Sequence, residues 1–178
     1  MGIEAAINRA FATAKSRRWN KIYFAIDLHE TCLVSNYGKG NYSWINEAAV
    51  NALKSISDRR DCCIILWSSV HAEEEADIIA FFAASGVNVS YFNHNPEVAN
   101  TAHGNFDTKF YFNVLVDDKA GFDYRTDWDD LRFALLTNDV LPNCHLCDDT
   151  GISDEDVSSQ GGPDLGEPCF CPIGRSKV

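Results

Sequence analysis

Three stretches of the chain carry side chains whose types and spacing suit chemistry. Asp27-Leu28-His29-Glu30-Thr31 closes the apolar run KIYFAI, Ser68-Ser69 follows CCIILW, and the adjacent pair Asp117-Asp118 follows YFNVLV. An acid at the end of one apolar run is most simply a turn or helix cap. Two neighbouring carboxylates repel each other and are costly unless a cation or hydrogen bonds neutralise them. If Asp27 joins them, the result is a hard, all-oxygen site of the kind that suits magnesium.

A second constellation lies near the end of the chain. Cys144 and Cys147 are separated by two residues, the usual spacing of a metal knuckle, and Cys169 and Cys171 by one. Four thiolates make a tetrahedral zinc site. The stretch holds few apolar residues, so zinc is expected to supply its folding energy. A four-thiolate site has no open position for catalysis, which leaves a structural staple or a protein-docking module as the expected role. Disulfides and an unstructured tail are the lesser alternatives. Cys62 and Cys63 sit inside an apolar run and read as core; Cys32 reads as core or pocket lining.

The elements that must position these groups alternate. Ile3, Ile7, Phe11 and Ala14 recur at helical spacing in the first 19 residues. Strands are expected over 21–27, 62–67, 87–93 and 111–116, and further helices over 44–59, 71–85 and 126–137, with Gly86 as a helix stop. Such alternation implies an α/β fold, a Rossmann-like three-layer sandwich with a mainly parallel sheet, whose ligands bind at the carboxyl ends of the strands. Asp27, Ser68, Asp117 and Asp118 all fall at such ends. Composition changes after Leu141-Pro142, so the expected division is a core over 1–141 and a zinc-binding tail over 142–178.

In order and context, four motifs resemble those of the haloacid dehalogenase superfamily, over roughly residues 20 to 137. FAIDLHET resembles the first motif, IILWSS the second, Lys109 in FDTKFYF stands where the third motif's Lys is expected, and VLVDDK resembles the fourth. The segment KFYFNVLVDDKAGFDYRTDW also looks like small phage and bacterial members. The resemblance implies a magnesium-dependent phosphohydrolase in which Asp27 forms an aspartyl-phosphate. It implies magnesium held by Asp27, Asp118 and the backbone carbonyl of His29, with Asp117 sharing the ligand role or orienting metal waters. Ser68 would bond a phosphate oxygen, Lys109 would balance charge, and Thr31 would shape the turn after the nucleophile.

One position departs from the family pattern: His29 stands where a second Asp is usual. His can do acid–base work, its unperturbed pKa being about 6.5. The alternative is a weak or inactive domain serving as a phosphate-binding or protein-interaction module with a zinc adaptor tail. Glu30 should point away from the site. Thirty-six residues separate Thr31 from Ser68, and a helix takes many of them, leaving a short flap over Ser35–Ser43 and no cap domain. An open site favours a nucleotide, a nucleic-acid end or a phosphoprotein as substrate. The aromatics Tyr37, Tyr42 and Trp44 either stack on a base or anchor the flap. His94, Asn95 and His103 either line the pocket or belong to a surface loop.

The net charge is −11, of which seven carboxylates between Cys147 and Cys169 supply a large part. A general nucleic-acid-coating role is disfavoured, which leaves room for a local basic site around Lys15, Arg17, Arg18 and Lys21. No apolar run approaches the roughly 18 residues of a membrane span, and the N-terminal pattern lacks a signal peptide's apolar block. A cytoplasmic, non-membrane protein is expected.

Overall fold

The computed structural model describes residues 2–35, 40–144 and 147–150. Its described part is an α/β fold: four parallel strands in one sheet, with four α-helices. The chain runs α1 (Ile3–Arg17), β1 (Ile22–Asp27), α2 (Glu47–Ser57), β2 (Cys62–Trp67), α3 (Ala72–Ala84), β3 (Tyr91–Phe92), β4 (Val114–Val116) and α4 (Asp127–Thr137).

Strand order is β3-β2-β1-β4. The chain leaves β1 toward β2 and β3, then returns to add β4 on the other side of β1. That reversal puts the topological switch point between β1 and β4, where adjacent crossovers depart in opposite directions and open a crevice at the carboxyl ends. In register, Asp27 lies beside Trp67, and Ile26 beside Val116. Asp117, the residue after Val116, is thereby delivered next to Asp27.

Side chains alternate across the sheet. Ile22, Phe24, Ile26, Ile64, Leu66, Val114 and Val116 face the larger core, to which all four helices contribute. Ala25, Cys63 and Ile65 face the other way, into a smaller cluster closed by Phe110 and Phe112 from the segment between β3 and β4. Burying one such large apolar side chain is worth about 1.5–3 kcal/mol, so the larger cluster dominates cohesion.

The helix ends follow from local chemistry. Asn46 caps α2 by accepting from the Ala49 N–H at 2.8 Å. After α3, Gly86 takes φ +77°, the left-handed conformation that ends a helix cheaply only for glycine. Glu73, Glu74 and Glu75 occupy the first turn of α3, where the helix dipole favours negative charge. No helix among the described residues is long and apolar enough to cross a membrane.

Candidate functional site

The switch point gathers the acids. Carboxylate oxygens of Asp27, Asp117 and Asp118 lie within 4.8 Å of one another, each on a half-buried side chain. A shared all-oxygen cluster this tight fits a hard divalent cation, because three like charges are otherwise mutually repulsive. A buried hydroxyl links the two strands: Thr31 Oγ1 donates to Asp27 Oδ2 at 3.0 Å and accepts from the Asp118 N–H at 3.1 Å. Thr31 is fully buried and its carbonyl accepts from Trp128 Nε1 of α4 at 3.1 Å. The sequence assigned Thr31 only to the turn; in the fold it also fixes the nucleophile candidate against the acidic pair.

The turn after β1 is tight. The Leu28 carbonyl accepts from the N–H groups of Cys32 at 3.0 Å and Leu33 at 2.7 Å, and Glu30 takes φ +60°. His29 lies half-buried within this turn, bridged to Leu33 through the backbone. The Glu30 carboxylate turns toward the flap, accepting from the Ser35 N–H at 3.2 Å. Cys32 is core, fully buried, and burial pushes its thiol well up.

Burial also raises the Asp27 carboxyl above its ordinary range. The Thr31 hydroxyl and the Leu28 N–H pull the other way, while Asp117 and Asp118 add to the rise. A cation in the cluster would reverse the balance by favouring the ionised form.

Ser68 follows β2 at the same edge and is held by a residue that sequence reasoning missed. The Ser68 N–H donates to Asn93 Oδ1 at 2.9 Å, and Asn93 Nδ2 donates to the Ser68 carbonyl at 2.6 Å. Asn93 follows β3 with φ +55°, a conformation Asn tolerates better than most residues. Its place directly after a strand was the available signal.

The lysine in ion-pair contact with the acids is Lys119, whose Nζ lies 3.3 Å from Asp118 Oδ1. Asp118, then Asp27 and Asp117, hold its ammonium above the usual lysine value. Lys109 is exposed and lines a surface depression with Gly104, Phe106 and Phe112. It precedes Phe110, whose ring packs on Trp67 with centroids 5.1 Å apart, so it stands beside the carboxyl edge without joining the cluster. Nothing in the sequence favours Lys119, because adjacency to an acid says nothing about where the side chain goes.

The carboxyl end of the flap is anchored. Trp44 donates from Nε1 to Ser85 Oγ at 2.9 Å and packs on Phe82 with centroids 4.6 Å apart, and Tyr42 packs on Phe81. Both rings are thus structural rather than poised over the site; Tyr37 lies outside the described residues. His94 and His103 are exposed loop residues, whereas Asn95 is buried and donates to the Tyr111 carbonyl at 2.8 Å.

Of the cysteine tail, residues 142–144 and 147–150 are described, and they lie at the opposite end of the sheet. Asp149 accepts from the N–H groups of Asn143 and Cys144 at 3.0 and 2.9 Å and pairs with Arg60 at 2.6 Å, just ahead of β2. Cys147 is buried, and its carbonyl accepts from the Thr150 N–H at 2.7 Å. Cys169 and Cys171 lie outside the described residues.

No family model matches the chain, and none of the curated proteins does. A solved structure described as a conserved protein from Bacteroides thetaiotaomicron is similar over 64% of this chain and 88% of its own, with 23% identity and a TM-score of 0.49.

Proposed function

We propose that the chain is a magnesium-dependent phosphomonoester hydrolase of haloacid-dehalogenase type, with Asp27 as nucleophile. The observation that carries this reading is the meeting of Asp27 with Asp117 and Asp118 at the switch point, tied by the Thr31 hydroxyl.

The residues divide the work as follows. Asp27 attacks phosphorus, the bond to the ester oxygen breaks, and the aspartyl-phosphate formed is then hydrolysed by water. His29 gives a proton to the leaving oxygen and takes one from the attacking water. Ser68, held by Asn93, donates to a phosphate oxygen. Lys119 and, from the rim, Lys109 offset the charge that gathers on phosphate. Asp27, Asp117, Asp118 and the His29 carbonyl would hold the divalent cation, which supplies charge neutralisation when bound. The flap is too short to enclose a substrate, so a nucleotide, a nucleic-acid end or a phosphorylated protein fits best. The four-cysteine tail is read as a structural zinc module with a role in protein contact.

The test is hydrolysis of an aryl phosphate with and without magnesium. Wild-type activity should need the metal and vanish in Asp27→Asn. His29→Ala should lose on the order of 100-fold, and Lys119→Ala about 10-fold or more in kcat. Purified protein should hold about one zinc, lost in the Cys144→Ala, Cys147→Ala double variant. Phosphate binding without turnover in the wild type would favour the non-hydrolytic reading that His29 keeps alive.

A further inference from the structure

The amino ends of the strands carry a second feature, remote from the carboxylates. At six residues of about 3.3 Å rise each, Lys21 stands roughly 20 Å from Asp27 along β1. There the chain turns from α1 into β1 through Arg17-Arg18-Trp19-Asn20-Lys21. Arg18 takes φ +56° at the helix end, and the Trp19 N–H returns to the Ala14 carbonyl at 2.9 Å, which throws Trp19 outward against Tyr111.

Two adjoining depressions result, of about 580 and 390 Å³, which share Arg17, Trp19 and Tyr111. Arg18, Lys21, Tyr23 and Phe106 line the first, and Arg9 and Phe112 the second. The rings of Trp19 and Tyr111 stand at 90° with centroids 6.0 Å apart, and Phe106 meets Tyr111 edge-on at 5.6 Å. The Arg17 guanidinium sits 5.2 Å over the Trp19 ring.

Charge distinguishes this groove from the rest of the molecule. The chain has 26 acids against 15 basic residues, yet among the described residues no carboxylate lines either depression. Glu97 borders the first depression, accepting from Lys21 Nζ at 2.6 Å and from the Tyr23 hydroxyl at 3.1 Å, which leaves the positive charge of the groove to the arginines. Among the described residues, neither Arg17 nor Arg18 pairs with an acid. Exposed guanidinium groups beside part-exposed aromatic rings are what a nucleotide requires: a flat base to stack and a phosphate to neutralise.

We propose that this groove binds single-stranded nucleic acid, with bases on Trp19 and Tyr111 and phosphates on Arg17 and Arg18. A strand, rather than a lone nucleotide, fits two depressions joined through one arginine and two rings. The site is independent of the carboxylate cluster and needs neither Asp27 nor magnesium.

The test is fluorescence anisotropy of the full-length protein with a labelled oligothymidylate of about 12 nucleotides, over a salt series and in EDTA. Binding should be saturable, should quench tryptophan fluorescence, and should be unchanged in Asp27→Asn. The Arg17→Ala, Arg18→Ala double variant should bind at least about 10-fold more weakly, with a log–log salt slope shallower by about 1.4 for two lost phosphate contacts. Arg17→Lys with Arg18→Lys should keep the wild-type slope, which separates charge from any structural effect. Unaltered affinity and slope in the alanine variant would overturn the proposal. So would adenosine monophosphate binding as tightly as the strand, or a duplex binding better.

Discussion

At the scale of residues, the site depends on a carboxylate held under unfavourable conditions. Burial, with Asp117 and Asp118 nearby, raises the Asp27 carboxyl despite two hydrogen bonds that lower it. A folded-state pKa above the unfolded one means that ionisation costs stability. That cost is absent at pH below both values and develops as pH climbs from the ordinary carboxylate value of about 3.9 through the folded one. The neutral amide of Asp27→Asn removes it. In EDTA at pH 7 the variant should melt higher by roughly 2 °C, a modest figure because solvent screens a half-exposed group. Calorimetry should show the gap closing near pH 3 and on adding magnesium to the wild type. A variant that melts lower than wild type at pH 7 would contradict the electrostatic reading of the cluster.

Elements deliver these groups, and buried polar contacts lock the elements. Arg59 and Asp61, between α2 and β2, form a two-armed pair at 2.9 and 2.8 Å. Arg59 also donates to the carbonyls of Leu135 and Asn138 at the end of α4, and Asp61 accepts from the Leu141 N–H at 2.8 Å. This network closes the core where the tail begins. Burial opposes ionisation of Asp61, but Arg59 and the Leu141 N–H outweigh it, and the carboxyl lies below its ordinary range. Its stabilisation is therefore complete above about pH 3.9 and lost as pH falls through the folded value. Asp61→Ala strands a mostly buried guanidinium and should cost about 3 kcal/mol in urea unfolding at pH 7, with a smaller difference below pH 3. An unchanged midpoint would show that the network holds nothing together.

Much of the element pattern was legible in sequence, and its failures have local causes. β1 and β2 were readable because KIYFAID and CCIILW are unbroken apolar runs flanked by polar turns. β4 is shorter than the expected 111–116 because Asn113 places its own Oδ1 on the Tyr23 N–H at 2.8 Å, replacing a ladder bond with a side chain. β3 begins late because the Val87 N–H is spent on the Phe82 carbonyl, closing α3. The acids of the site were legible, since each closes an apolar run. Thr31 as a bridge, Asn93 as the clamp on Ser68 and Lys119 as the paired cation were not. The first two depend on contacts between segments far apart in sequence, and Lys119 on a side-chain direction toward its neighbour Asp118 that sequence alone does not set.

Over the whole molecule, the sheet separates three features. The carboxylates occupy the carboxyl ends of the strands, while Cys144, Cys147 and the arginine-aromatic groove lie at the amino ends. Chemistry at Asp27 should therefore be insensitive to Arg17 and Arg18. The most direct measurement of the central claim is capture of the phosphorylated protein. The enzyme would be mixed with magnesium and an aryl phosphate, quenched in acid during turnover, digested, and its peptides read by mass spectrometry. The expected result is a hydroxylamine-labile phosphoryl group on Asp27, present with magnesium and absent in EDTA. Steady turnover with no label on Asp27, or a label on another residue, would contradict it.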